Sequence, residues 1–299
     1  MFTYHQPVMV AEVVQYLITD PNGFYVDATV GDGGHAKAIL EKTSPQAIVV
    51  GIDRDREAIE TASQVLADFG SRVKLVQGSF STIAEILNQV NVEGIDGILF
   101  DLGVSSRQLD VPERGFSFSQ DGPLDMRMDR TQKMNACQVV NTFTEKELAD
   151  IFFYYGEEHK SRKIARSIVL ARQKKSITTT SELEKIIWNC NPGRRGGIHP
   201  ATRVFMALRI YINHELDELP KALESVLQFL KEGARMVVLS YHSLEDRVVK
   251  NFLRTHDQLE VINRKPMTPS RQEIQVNPRA RSARMRVAQK MIREEGTLI

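Results

Sequence analysis

The stretch Phe24-Tyr25-Val26-Asp27-Ala28-Thr29-Val30-Gly31-Asp32-Gly33-Gly34-His35-Ala36 decides the fold. A short apolar run from Phe24 to Ala28, carrying Asp27 near its end, gives way at once to a glycine-rich turn, and a helical pattern begins at Ala36 to Leu40. A second buried run, Ala47 to Ile52, stops at Asp53. Strand, glycine turn, helix and strand in that order make a βαβ unit. Working outward, Glu57 to Phe69 suits a helix, Val73 to Gln77 a third strand, Ile83 to Val90 a helix and Gly97 to Leu102 a fourth strand, all after an amphipathic opening helix. This alternation predicts an α/β fold with a parallel, doubly wound sheet.

The alternation stops after Ser106. The next hundred or so residues carry helix signals and almost no period-two pattern. Thr144 with Glu147 forms a capping box for a helix with apolar positions Leu148, Ile151, Phe152 and Tyr155. Arg162 to Ala171, Leu183 to Trp188 and Val204 to Leu216 continue the helical pattern, and Asn191 to Gly197 is a turn-rich loop. Strand signals return at Arg235 to Ser240, Leu259 to Ile262 and near Met285 to Val287. The expected organisation is a first part of the sheet domain at 1–106, an all-helical insertion at 107–212 and the remainder of the sheet domain at 213–299.

The chain has 299 residues, 42% of them hydrophobic and 26% charged, which suits a globular protein with a sizeable core. Cys137 and Cys190 have no paired spacing, so neither a disulfide framework nor a zinc site is indicated, and no metal is expected. No apolar run approaches the roughly 18 residues of a membrane span, and Met1 to Asp20 lacks the pattern of a cleaved leader; cytoplasmic localisation is the expectation. The net charge of +1 hides local imbalance. Lys160, Arg162, Lys163, Arg166, Arg172, Lys174 and Lys175 form one basic cluster, and the segment Arg264 to Arg293 a second, with Glu273 its only acid. Either could meet phosphates or coat a solvated face.

The loop Gly31-Asp32-Gly33-Gly34-His35-Ala36 satisfies G-x-G-x-x-G/A, with Asp53 about 20 residues on. Glycines allow close approach of backbone to ligand, and the acid can accept from ribose hydroxyls. NAD and S-adenosylmethionine both carry that ribose, so a nicotinamide-dependent dehydrogenase and a methyltransferase share this signature. The methionine tail adds an ammonium that requires a carboxylate such as Asp27 or Asp101, and the acids therefore favour the sulfonium ligand. Phe80, after the third strand, is placed either to stack on adenine or to pack in the core. Asp101, closing the fourth strand, is the leading catalytic candidate: it could accept a hydrogen bond from an attacking amine, although capping or cofactor binding would use it equally. Carbon-5 cytosine methylation would need a cysteine nucleophile in the crevice, and deamination a zinc signature; both are lacking. Ser243 with Asp246 reads as an N-cap pair, which leaves His242 as a second catalytic candidate facing the crevice. Asn277 to Arg284 could hold phosphate or form a solvated strand.

Taken together, Val30 to His35, Asp101 to Ser106, Arg114-Gly115-Phe116-Ser117-Phe118, His199-Pro200-Ala201-Thr202-Arg203 and Ser243-Leu244-Glu245-Asp246-Arg247 resemble the RsmH (MraW) family, nearly end to end. The resemblance implies a Rossmann-like class I methyltransferase sheet and methyl transfer from S-adenosyl-L-methionine to the exocyclic N(4) of a decoding-centre cytidine in bacterial 16S rRNA. It implies cofactor contacts from Gly33, Gly34, His35, Asp53, Phe80, Asp101 and Gln108; His35 and Gln108 rest on it alone. The implied partner is 16S rRNA within the small ribosomal subunit, without a membrane, and with a homodimer left open. The tetrapeptide of amino-methylases is replaced here by Asp101-Leu102-Gly103-Val104, so the group that polarises the amine is unassigned. A non-catalytic ribosome-assembly factor would also explain the basic clusters, though not the crevice acids.

Overall fold

The computed structural model describes residues 7–193 and 197–292. Arg293 of the second basic cluster and the centre of the Asn191–Gly197 loop lie outside them. The chain forms two compact units, 1–103 with 216–299, and 104–215.

The first unit is the α/β sheet domain. Its elements are α1 (Val10–Leu17), β1 (Phe24–Asp27), α2 (Gly34–Lys42), β2 (Ile48–Asp53), α3 (Arg56–Val65), β3 (Val73–Gln77), α4 (Ile83–Gln89) and β4 (Ile95–Asp101). After the second unit come α11 (Glu215–Val226), β5 (Leu230–Ser240), α12 (Ser243–Thr255), β6 (Leu259–Val261), α13 (Arg271–Val276) and β7 (Arg284–Lys290). The seven strands run in the order β3-β2-β1-β4-β5-β7-β6. β1 to β5 are parallel, while β7 lies antiparallel between β5 and β6. This is the doubly wound α/β sheet that the alternation predicts and the Rossmann-like class I methyltransferase sheet that the resemblance implies. Strand order reverses between β1 and β4, and a ligand crevice opens outside the carboxyl ends of strands at such a point.

Strand residues are apolar without alternation because both faces are covered. Val26, Val50, Ile98, Phe100, Met236 and Val238 pack against Ile83, Leu87, Leu223, Val226, Val249 and Leu253 of α4, α11 and α12. Their strand neighbours Tyr25, Val49, Leu99, Val237 and Leu239 point the other way, against Val13, Leu17, Ile39, Leu40 and Ala62 of α1, α2 and α3. β4 starts two residues before the expected Gly97 because a register shift between Ile95 and Gly97 lets it continue pairing with β5.

The second unit holds α5 (Ser106–Asp110), α6 (Ala136–Thr142), α7 (Glu145–Tyr154), α8 (Ser161–Arg172), α9 (Thr180–Cys190) and α10 (Pro200–Ile212) around its own core, including Val139, Leu148, Phe152, Ile164, Ile168, Leu183, Ile187, Val204 and Leu208. The Thr144–Glu147 capping box forms as expected. Thr179 and Glu182 make another, which starts α9 three residues before the apolar pattern would place it. The helical pattern from Val204 to Leu216 is broken at Asn213 and His214, where His214 adopts φ 52°. Fully buried Asn213 accounts for the break: its Oδ1 accepts from the Met128 amide, and its Nδ2 donates to the carbonyls of Met126 and Arg209, each at 2.8 Å. Asn213→Leu keeps the branched shape at a somewhat larger volume and removes those bonds, leaving buried backbone groups unsatisfied. A loss of about 2 to 4 kcal/mol is expected in chemical denaturation.

Candidate active site at the strand ends

β1 delivers Asp27 into the interior at 1% exposure. Its Oδ1 accepts from the Thr29 amide at 3.2 Å, while Oδ2 is buried with no hydrogen-bond partner among the described residues. Burial raises the carboxyl from its ordinary value to about 7; the nearby His35 works against this rise, and Asp101 and Asp53 add to it. A buried carboxylate oxygen without a donor is costly, and such an orphan usually marks a place meant for something else.

Asp53 ends β2. Its Oδ2 accepts from the Gly31 amide at 3.0 Å and its Oδ1 from the Asp55 amide at 2.8 Å, so it clasps the glycine loop while Asp55 caps α3. Burial outweighs these bonds and raises Asp53 to about 6. The loop turns into α2 through Gly33 at φ 88°, a conformation that strains any L side chain. A Cβ on Gly34 would stand 2.9 Å from Pro7 Cγ, so the N-terminal segment presses directly on the helix start. His35, buried, has Nε2 2.9 Å from the Val8 carbonyl and Nδ1 3.5 Å from Asp101 Oδ2.

Asp101 ends β4, next to β1. Its amide donates to Thr29 Oγ1 and its Oδ1 accepts from the Tyr241 hydroxyl, both at 2.7 Å. Burial, then the charge of Asp101, pushes the Tyr241 phenol well above its ordinary value, so that it acts as a donor to the carboxylate. Phe80 meets Phe100 edge-on with centroids 6.2 Å apart and carries the Arg54 guanidinium 5.3 Å from its ring centre. Arg54 is anchored by Glu218 and Ser79. The ring is both core-packed and partly exposed, so the two expectations for it are compatible.

His242 follows β5, and here the expected Ser243–Asp246 cap is displaced by one residue. The N-cap is His242 itself: its Nδ1 accepts from the Glu245 amide at 3.4 Å, while Glu245 Oε2 accepts from the Tyr241 and His242 amides. Its Nε2 lies 3.1 Å from Glu245 Oε1. Asp246 instead grips Arg286, at 2.6 Å, and Arg284. A pair 40 residues apart thus overrides the local cap. Gln108 belongs to the helical unit, where its side-chain oxygen accepts from the Ser105 amide in a capping box. Both cysteines are in that unit as well, Cys137 in α6 and Cys190 at the end of α9.

The family model described as the MraW methylase family matches residues 2–291. The chain belongs to this family. The curated Ribosomal RNA small subunit methyltransferase H of Caldicellulosiruptor saccharolyticus is 47% identical over 96% of this chain and 99% of its own, and that of Cyanothece sp. 49% identical over 98% and 96%. Among solved structures, an rRNA methylase from Streptococcus thermophilus covers 95% of this chain and 94% of its own at 13% identity and TM-score 0.45. As an MraW methylase the protein takes S-adenosyl-L-methionine as methyl donor. Membership sets aside the dehydrogenase alternative. No helix among the described residues is long and apolar enough to cross a membrane.

Because Asp27 and Asp53 are raised in the folded state, their protonated forms favour folding. That stability is present below the ordinary carboxylate range and is lost as pH rises through about 6 to 7. Asp27→Asn should therefore raise the melting temperature of the ligand-free protein at about pH 8 relative to the parent, with the difference shrinking at about pH 5. Equal differences at both values would show that no charge burial at Asp27 is being relieved.

Proposed function

We propose that this protein methylates small-subunit ribosomal RNA, and that the acceptor is the exocyclic N(4) of a decoding-centre cytidine. The observation that carries the reading is the buried Oδ2 of Asp27, which has no hydrogen-bond partner among the described residues, at the switch point of the sheet. The methionine ammonium of S-adenosyl-L-methionine is a donor of the charge and size that this oxygen lacks. Around it, Gly33 and Gly34 give backbone access at the start of α2, Asp53 offers carboxylate lone pairs to ribose hydroxyls, and Phe80 offers an aromatic edge to adenine. His35 supports the site by linking Val8 to Asp101.

The bound donor supplies a methyl group on a positively charged sulfur, open to in-line displacement. The chain's own residues then have a defined task. Asp101 is held by Tyr241, the Thr29 hydroxyl and His35, and its carboxylate accepts a hydrogen bond from the attacking amine, directing nitrogen lone-pair density at the methyl carbon. Transfer would exchange the donor's carbon–sulfur bond for a nitrogen–carbon bond, the donor would leave as a neutral thioether, and the proton shed by the amine would pass to the Asp101 carboxylate. Neither cysteine lies at a strand end, which fits direct transfer to a nitrogen rather than covalent addition to the ring. His242 is the second candidate at this place, and its capping geometry suits a role in fixing the turn after β5.

Phosphate contacts are expected from Arg264, Lys265, Arg271, Arg279 and Arg281, which are exposed, and not from Arg286, which is buried against Asp246. RNA affinity should fall steeply with added salt, and Arg279→Ala with Arg281→Ala should flatten that slope. Asp101→Asn should lower the rate of methyl transfer by about 100-fold or more while RNA binding persists. Nucleoside mass spectrometry of small subunits from cells lacking the enzyme, after incubation with labelled S-adenosyl-L-methionine, tests the position: label on N(4) of cytidine supports the proposal, and label elsewhere overturns it. Donor affinity should rise with pH until Asp27 is ionised, near 7, and Asp27→Asn should abolish that dependence.

A further inference from the structure

The His199-Pro200-Ala201-Thr202-Arg203 motif belongs to the helical unit. There it builds a stack of rings. His199 is the N-cap of α10, with Nδ1 accepting from the Ala201 amide at 3.2 Å and Nε2 3.2 Å from Glu184 Oε1. The imidazole is thereby locked in plane from two directions. On one side it stacks on Phe118, with centroids 4.6 Å apart and planes 29° apart; on the other it stacks on Trp188, at 5.1 Å and 21°. Phe118 in turn sets its edge against buried Phe205 at 5.0 Å, which ties the stack to the core.

The outermost ring of this stack is the only tryptophan in the chain, and it is 42% exposed. Burying an indole would stabilise a unit of this size more than exposing one does. Stacked on His199, Trp188 instead presents a large flat surface to solvent in an orientation fixed before any partner arrives. The charges around it are not neutral in sum. Glu184 is engaged by His199 and Glu182 by Lys175, whereas exposed Lys185 lies on the face of α9 that carries Trp188, one turn earlier. Lys160 reaches the C-terminal end of the same helix through Asn191 Oδ1 at 2.7 Å. An exposed aromatic plane on a helix face that also carries a lysine suits an unstacked nucleobase and its phosphates better than an apolar protein surface.

We propose that Trp188 is a stacking platform for a single-stranded base of the RNA substrate, with Lys185 and Lys160 facing the adjoining phosphates. The proposal rests on the RNA reading above and adds to it a binding subsite in the helical unit. With a single tryptophan in the chain, its fluorescence reports on this site alone. Titrating the full-length protein with a short single-stranded oligocytidylate should quench the emission saturably, and an abasic oligonucleotide of equal length should not. By anisotropy of the labelled oligocytidylate, Trp188→Ala should weaken binding roughly tenfold or more, and Trp188→Phe should recover part of the loss. Unchanged affinity in Trp188→Ala, or equal quenching by the abasic strand, overturns the proposal. Emission that shifts with protein concentration and ignores RNA assigns the face to a second copy and overturns it as well. Methyl transfer by the parent protein is measured in parallel: its absence would count against the proposed function, while the quench still decides the platform.

Discussion

Three carboxylates, one fully and two partly withdrawn from water, close neighbouring parallel strands and set the terms for the rest of the sheet unit. Asp27, Asp53 and Asp101 close β1, β2 and β4. Parallel strands covered on both faces leave only their ends for polar chemistry, so these acids sit where the apolar interior stops. Burial disfavours the charged form of Asp27 and Asp53. Asp53 is compensated by two backbone amides and Asp101 by the Tyr241 hydroxyl, whereas Asp27 has one amide and, among the described residues, one oxygen without a donor. The unit is therefore left unsatisfied at a point where a cationic ligand would complete it, an arrangement that exchanges stability of the ligand-free state for affinity.

The surroundings of these acids are rigid for identifiable reasons. The glycine loop is clasped by Asp53, pressed by Pro7 and linked by His35 to both Val8 and Asp101. On the far side of Asp101, the turn after β5 is fixed by His242 and Glu245, and α12 is tied to β7 through Asp246 and Arg286. Preorganised hydrogen bonds of this kind hold a carboxylate in one direction without rearrangement during reaction.

The helical unit is organised on a different principle. Its core is apolar, and the long segment before α6 is held by backbone capture, with Arg114 donating to the Arg127 and Met128 carbonyls and Asn213 to that of Met126. Within it the ring stack from Phe205 to Trp188 runs from core to surface. Such a stack gives an exposed aromatic the orientation that a flexible side chain on a loop would lack.

By itself the sequence determined the elements of the sheet and the identity of the acids, because both follow from local pattern: apolar runs of strand length, glycines at a turn, and a carboxylate where each run stops. The capping boxes at Thr144 and Thr179 are local in the same sense, the second carried by the spacing Thr179-x-x-Glu182. Tertiary structure alone decided what distant residues do to one another. Asp246 is taken by Arg286, so the cap passes to His242; Asn213 stops α10 because loop backbone 85 residues away needs its amide; the Tyr241 hydroxyl holds Asp101. The orphaned oxygen of Asp27 and the plane of Trp188 belong to the same class. Whether a polar atom is satisfied, or a ring held flat, depends on the neighbours that folding brings, and no spacing along the chain encodes them.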